Sequence, residues 1–304
     1  MNDEQKLAAL GPDKTPDFCV RLDFPKGTRN PQRLLKSAAD YIDALNSLDS
    51  MLVASIDTQI KPVFVLEEIE AGSIKLWLKQ ILEAVNDNAL ENLDWKPAVG
   101  KYLVKAKYLL LKHLEGRTVL AGREAMESLA KEISNAAHET GVLKLPAYRA
   151  ASAVALAQEA RKISESLNAL EKGDSITFQS DDGDSVLTPE FIVTQEDITN
   201  LFAGEIISND LTRILMVRRP DFLGEAKWDF RYEKRPFSAK IIDEEWLNDY
   251  HAGKLDIRPG DALRVTLRET VTYDHSGEVI REEREILKVL GITKPAIQGS
   301  LLSQ

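Results

Sequence analysis

The chain has very few metal-binding or redox-active side chains. Its 304 residues contain one cysteine, Cys19, and four histidines. A single cysteine excludes an intramolecular disulfide and a zinc site built from cysteines. No two histidines have the short spacing of paired metal ligands. The sequence therefore predicts no metal site, and it fits a reducing compartment.

Long apolar runs and a surplus of positive charge are also missing. No apolar run reaches the roughly 18 residues that a transmembrane helix needs. Residues 1–14 lack a basic segment followed by an apolar one, so we expect no signal peptide and a cytoplasmic protein. Lys and Arg number 39 against 49 Asp and Glu, for a net charge of -10. This balance argues against a protein whose whole surface wraps nucleic acid.

Catalytic signatures are absent from the sequence. It contains no phosphate-binding GxxxxGK[ST] loop, no dinucleotide-binding GxGxxG, no HExxH and no GxSxG. The composition, 43% hydrophobic with only 16 Gly and 12 Pro, is typical of an ordinary globular protein of about two domains. We therefore expect no catalytic residue and no cofactor, and a protein that is not an enzyme.

The first 93 residues predict an α/β module. Alternating apolar residues predict a strand over 17–24, and Asn30 before Pro31 predicts the N-cap of a long helix ending near Ile56. Residues 61–70 predict a second strand. The run from Ile74 predicts a short strand that turns into a helix near Lys79, although helix and strand patterns overlap there.

One segment of this module resembles a known family. Residues 16–90 resemble the ferredoxin-like adaptor domain of the TRADD N-terminal type, which also occurs in bacterial conflict proteins. The residues that carry the resemblance are Glu68, Glu70, Gly72, Ser73, Ile74, Leu76 and Leu78. It implies a ferredoxin-like fold and a protein-interaction module without catalytic residues. Gly72 and Ser73 are expected to form a tight turn in which Gly72 needs a positive φ.

Residues 94–172 predict a helical segment that packs with the first module. Helices are expected near 96–115, 117–140 and 146–171. The first is apolar on nearly every side, which predicts a central buried helix whose lysines extend outward along their stems. An interfacial membrane helix is the alternative. Because three helices offer limited cover, this helix also predicts self-association or a protein partner.

The remaining sequence changes to β character. Residues 173–197 predict a hairpin linker, residues 198–292 a small antiparallel β-barrel or sheet of six strands, and residues 293–304 a flexible tail. One inserted helix is expected, with Asp243 as its cap and Gly253 after its end. The predicted fold class is therefore α+β.

Basic and aromatic residues alternate within this last domain. Aromatic rings interleaved with cations suit single-stranded nucleic acid or nucleotides, because bases stack on rings while cations neutralise phosphate. The alternative is a barrel with a basic outer face and inward Trp228, Phe230 and Tyr232. The candidate contact residues are Arg218, Arg219, Trp228, Arg231, Tyr232, Lys234, Arg235 and Lys240.

Two functions follow from these observations. The first is a non-catalytic protein-interaction or oligomerising adaptor, or a sensor, in a bacterial defence or signalling system. The second is nucleic-acid or nucleotide binding through the basic, aromatic sheet.

Overall fold

The structure is a computed structural model that describes residues 17–25, 27–28, 30–56, 60–70, 74–84, 95–142, 148–221 and 227–294. It divides into two compact units, residues 1–201 and 202–304. Within the described ranges it has six helices, a five-stranded sheet and a closed five-stranded barrel. The predicted α+β class is confirmed. None of the helices in those ranges is both long enough and apolar enough to cross a membrane.

The first unit is built on an antiparallel sheet in the order β2-β3-β1-β4-β5. Every neighbouring pair in it is antiparallel. Its strands are β1 (Phe18–Asp23), β2 (Ile60–Glu70), β3 (Ile74–Ala84), β4 (Ser175–Ser180) and β5 (Gly183–Leu187). The hairpin predicted as a linker over 173–197 thus supplies two strands of this sheet.

Four helices accompany this sheet: α1 (Gln32–Ala54), α2 (Trp95–Leu114), α3 (Arg123–Glu139) and α4 (Ala153–Ser166). Helix α1 packs against α4 and β2, while α2 contacts α3 and β5. The predicted cover for α2 from another chain proves unnecessary. Tyr102 and Leu110 are fully buried within one chain, and Leu109 is half-buried.

Two local predictions in this unit are wrong. The segment from Ile74 does not become a helix near Lys79, because β3 pairs with β2 along its length, from Glu70 opposite Lys75 to Ile60 opposite Ala84. That pairing satisfies backbone groups that a helix would otherwise satisfy. Asn30 has a φ of 59° and does not cap α1, whose N-cap position is Pro31 without a side-chain hydrogen bond.

Two helices begin later than predicted. Helix α3 starts at Arg123, after Gly122, rather than at residue 117. Helix α4 starts at Ala153, where the Ser152 hydroxyl accepts a hydrogen bond from the Ala155 amide at 3.0 Å. That cap fixes the start of α4. Pro146, which was expected to open this helix, lies outside the described residues.

The second unit is the barrel, with strand order β10-β8-β7-β6-β9. Its strands are β6 (Ala203–Arg219), β7 (Trp228–Tyr232), β8 (Arg235–Ile241), β9 (Ala262–Asp274) and β10 (Val279–Thr293). Strands β8 and β10 pair in parallel, whereas the other pairs are antiparallel. Buried side chains from all five strands fill the interior, among them Leu215, Trp228 and Ile286.

The barrel has five strands rather than the predicted six. The first two predicted strands cover residues 198–208 and 211–219. Residues 198–202 instead belong to α5 (Gln195–Phe202), and the rest of both predicted strands forms the single strand β6, from Ala203 to Arg219. Thr194 and Asp197 explain the helix: Thr194 Oγ1 accepts from the Asp197 amide at 3.1 Å, and Asp197 accepts from the Thr194 amide at 2.7 Å. This reciprocal bonding is a helix-start signal.

The inserted helix is confirmed as α6 (Glu244–His251). The Asp243 carboxylate accepts from the Trp246 amide at 3.3 Å, and Gly253 follows with a φ of 73°.

The start of the predicted tail is ordered structure, since Thr293 belongs to β10 and Lys294 pairs with Asp261 at 3.0 Å. Residues 295–304 lie outside the described ranges.

Candidate functional site

The outer face of β6, β7 and β8 brings together most of the predicted basic residues. Alternate side chains on these strands point into the barrel and are buried: Leu215, Val217, Trp228, Phe230, Ala239 and Ile241. Because side chains alternate along a strand, Arg218, Arg231 and Lys240 lie on the outside. The register places Arg231 opposite Met216 on β6 and opposite Pro236 on β8.

Four cations of this face are exposed: Arg218, Arg231, Lys234 and Arg235. None of the four forms an ion pair with a carboxylate of the described chain. Lys234 lies in the β7–β8 turn and has a φ of 68°. Arg219 differs, because its guanidinium bonds Asp229 at 2.9 Å. The exposed four therefore form a surface that suits a polyanion or an acidic protein.

Two aromatic side chains of the predicted surface, Trp228 and Phe230, point into the barrel instead of outward. Trp228 is only 1% exposed, and its ring centroid lies 5.7 Å from Trp246 and 4.9 Å from Tyr250 on α6. Phe230 is fully buried. Naming Trp228 as a ligand contact is therefore wrong, because its side chain forms the barrel core.

Tyr232 is half-buried at one end of the barrel. The Arg213 guanidinium lies 5.5 Å from its ring centroid, so a cation already occupies one face of the ring. Phe237 has a similar neighbour in Arg284, at 5.6 Å. A base stacked on Tyr232 would therefore have to use the opposite face of the ring.

A second surface, missed from the sequence, is the free edge of β6. Strand β6 pairs with β9 from Glu205 to Met216 without a register shift, whereas β7 pairs only with the segment from Met216 onward. Residues 205–215 therefore have one strand neighbour within the described residues. Ile206 is 64% exposed and Ile207 is 41% exposed. An open edge with exposed apolar side chains can pair with another strand.

The first unit contains a buried ion pair that the sequence reasoning also missed. Lys107 was expected to extend toward solvent, yet Lys107 and Asp49 are both fully buried. The Lys107 ammonium donates to both Asp49 oxygens at 2.6 and 2.7 Å and to Gln80 Oε1 at 3.1 Å. It also lies 5.2 Å from the Phe18 ring centroid. The pair joins α1, α2 and β3.

Burial dominates the electrostatics of this pair. Loss of hydration raises the pKa of the Asp49 carboxyl to about 6, although the Lys107 charge opposes the shift. The same loss lowers the pKa of Lys107, against the attraction of Asp49. Because no solvent reaches either group, we assign the pair a structural role.

The remaining polar features offer no convergent chemistry. No group of three or more His, Cys, Asp or Glu side chains that could hold a metal ion occurs in the described part of the chain. A cavity of about 480 Å³ lies between Glu205, Tyr273 and His275. Its Asp274 carboxylate accepts from the Ser276 and Glu278 amides at 2.8 and 2.7 Å, so the turn already uses it. The predicted turn residues Gly72 and Ser73 lie outside the described residues.

Comparisons with known proteins add no relative. No protein-family model matches the sequence, and neither the curated proteins nor the solved structures include a match. The resemblance of residues 16–90 to the TRADD N-terminal type thus stays a prediction.

Proposed function

We propose that the chain is a non-catalytic adaptor or sensor that works by self-association or by docking a protein partner. The observation that carries this proposal is the free edge of β6. Its backbone N–H and C=O groups can extend the sheet into a second chain, and the exposed Ile206 and Ile207 gain cover when they do. This surface replaces α2 as the basis for association, since α2 is covered within its own chain.

The first unit supports an adaptor role through its topology. Strands β2, β3, β1 and β4 follow one another in the sheet, all neighbours are antiparallel, and α1 connects β1 to β2. A ferredoxin-like β-α-β-β-α-β module has this arrangement. Here β5 is added outside β4, and three helices replace the single helix of the second crossover. We therefore propose a ferredoxin-like module, while the bacterial defence role and the cytoplasmic location stay predictions.

Sedimentation velocity at low and high micromolar concentrations tests the proposed function. We expect the sedimentation coefficient to rise with concentration as dimers or larger species form. A chain that stays monomeric at every concentration would remove self-association. The proposal would then require a different protein as the partner, and a monomer with no binding at its β6 edge would overturn it.

Nucleic-acid binding is a second candidate, favoured by the connectivity of the barrel. The strands close in the order β6-β7-β8-β10-β9, and α6 lies between β8 and β9 along the chain. This is the arrangement of the OB-fold, in which the face of the second and third strands binds oligonucleotides or oligosaccharides. In this chain that face belongs to β7 and β8 and carries Arg231 and Arg235. The buried Trp228 and Phe230 weigh against it, because they leave few rings for stacking.

Fluorescence anisotropy with a labelled single-stranded oligonucleotide tests this second candidate. If the basic face contacts phosphates, affinity falls as salt rises. The double variant Arg231→Ala with Arg235→Ala should then reduce the slope of log association constant against log salt concentration by about 1.4, for two lost contacts with a single strand. The matched control is Lys254→Ala with Arg258→Ala, which removes two cations that pair with Asp249 and Asp256 instead. No binding at low salt, or equal loss in both double variants, would remove nucleic acid as a specific ligand of this face.

A further inference from the structure

We propose that β6 pairs antiparallel with β6 of a second copy of this chain, about a two-fold axis at Asn209. The inference rests on the proposed self-association and specifies its surface and register. The pairing segment is Glu205–Arg213, which runs in unbroken register with β9 on its other side. Two barrels would thereby share one continuous sheet.

Symmetry restricts the registers that β6 can adopt with its own copy. A two-fold axis that makes two edge strands antiparallel is perpendicular to the sheet, so it places the same face of both copies on the same side. Residues opposite each other in an antiparallel pair also share a face. Odd-numbered residues of β6 must therefore lie opposite odd-numbered residues, and even opposite even. The axis consequently lies midway between the two copies of one residue, which face each other across it.

The register centred on Asn209 matches both charge and hydrophobicity. It places Glu205 opposite the Arg213 of the second copy, twice by symmetry, and Ile207 opposite Leu211. Opposite charges and apolar pairs in facing positions stabilise a sheet, while like charges destabilise it. Centring on Ser208 instead places Ile206 opposite Asp210, and centring on Asp210 sets that carboxylate opposite its own copy.

The charged residues that this register uses are available for it. Within the described residues, neither Glu205 nor Arg213 has an ion pair in its own chain. Asp210 is already neutralised, because Arg268 of the same chain bonds both of its oxygens at 2.8 and 2.9 Å. Asp210 belongs to the even-numbered face, whereas the odd-numbered face of this segment carries Glu205 and Arg213, which complement each other across the axis.

Charge reversal tests this register by sedimentation velocity. Glu205→Arg alone sets two arginines opposite each other, and Arg213→Glu alone sets two glutamates opposite each other, so each variant is expected to weaken dimerisation at least tenfold. An equimolar mixture of the two variants restores both opposite-charge pairs and is expected to form mixed dimers. The matched control is Arg264→Glu, which reverses an exposed charge on β9, a strand that is paired on both sides at this residue, and should leave dimerisation unchanged.

Disulfide cross-linking tests the position of the axis. Opposite Cα atoms of an antiparallel pair lie about 4.5 to 5.5 Å apart, within disulfide range. Asn209→Cys should therefore cross-link to its own copy under mild oxidation, whereas Ser208→Cys, offset along the strand from its copy, should not. The chain's single cysteine, Cys19, is buried and does not compete. Thermal melting of each variant confirms that it folds.

The outcomes separate this inference from the proposed function. Rescue in the mixture together with selective cross-linking at residue 209 supports the register. A dimer that resists both charge reversals and does not cross-link at 209 overturns the register and leaves self-association intact. A chain that is monomeric at all concentrations overturns both the register and self-association, and leaves docking of a different protein at the β6 edge as the remaining form of the proposed function.

Discussion

Replacing Lys107 by Met should strongly destabilise the first unit at neutral pH. The substitution roughly keeps the length of the side chain but leaves the Asp49 carboxylate fully buried without a counter-charge. Breaking a buried pair in this way typically costs about 3 to 5 kcal/mol. Asp49 can limit the loss by binding a proton, which caps its own cost at about 4 kcal/mol relative to the unfolded chain at pH 7, given its ordinary pKa of 3.8.

The same substitution should change how stability depends on pH. In the parent the pKa of Asp49 is raised to about 6 in the folded state, so its contribution is lost as pH rises from 3.8 to 6 and is level above that. Without Lys107 the charge and hydrogen bond that lower this pKa disappear, so the folded pKa rises further. The variant should then lose about 1 kcal/mol of unfolding free energy between pH 6 and pH 7, whereas the parent, whose Asp49 becomes mostly ionised over this range, should lose only a fraction of that.

Urea unfolding followed by helical circular dichroism measures both effects, because α1 to α4 all belong to the first unit. Lys105→Met is the matched control: this lysine lies on the same helix, is 32% exposed and pairs with Glu139, so its loss should cost under about 1 kcal/mol. Asp49→Leu combined with Lys107→Met should recover most of the lost stability. Equal losses for Lys107→Met and Lys105→Met, or an unchanged pH slope, would refute the reasoning.

Two further predictions concern the barrel. Gly204→Ala should cost about 1 to 3 kcal/mol, because the new Cβ would lie 2.9 Å from the His275 amide nitrogen; Gly291→Ala, which has open space around it, is the control, and equal melting temperatures would contradict the expectation. Asp243→Ala should cost about 1 to 3 kcal/mol, because the carboxylate both caps α6 and accepts from the Val289 amide at 2.9 Å. Asp243→Asn should retain part of that stability, and a melting curve of Asp243→Ala that matches the parent would count against this double role.

Elements with strong local signals were predictable from the sequence. Strand β1 has a clear alternation, and α6 has a capping aspartate before it and a glycine after it. The outward position of Arg231 also followed from alternation with the buried Trp228 and Phe230. In each case the deciding information lies within a few residues of the feature.

Elements decided by distant partners were not predictable in this way. Strand β3 has an overlapping helical pattern, and only its pairing with β2 selects the extended form. The free edge of β6 depends on where β7 starts to pair, at Met216. An edge is a property of the finished sheet, because it consists of backbone groups that no strand has satisfied. A short stretch of sequence does not indicate which backbone groups will be left without a neighbouring strand.

The buried ion pair is an intermediate case, since the sequence held a usable signal. Lys107 is four residues after Leu103 and seven before Leu114, so helical periodicity places it on the same apolar stripe as these fully buried leucines. Asp49 is four residues after Leu45 and three before Leu52, so it lies on the apolar stripe of α1. Two opposite charges, each on an apolar stripe of its own helix, must either meet or remain buried without a partner, and the second arrangement costs several kcal/mol. The pattern therefore predicts that α1 and α2 pack with these stripes facing each other, a long-range contact inferred from two local periodicities.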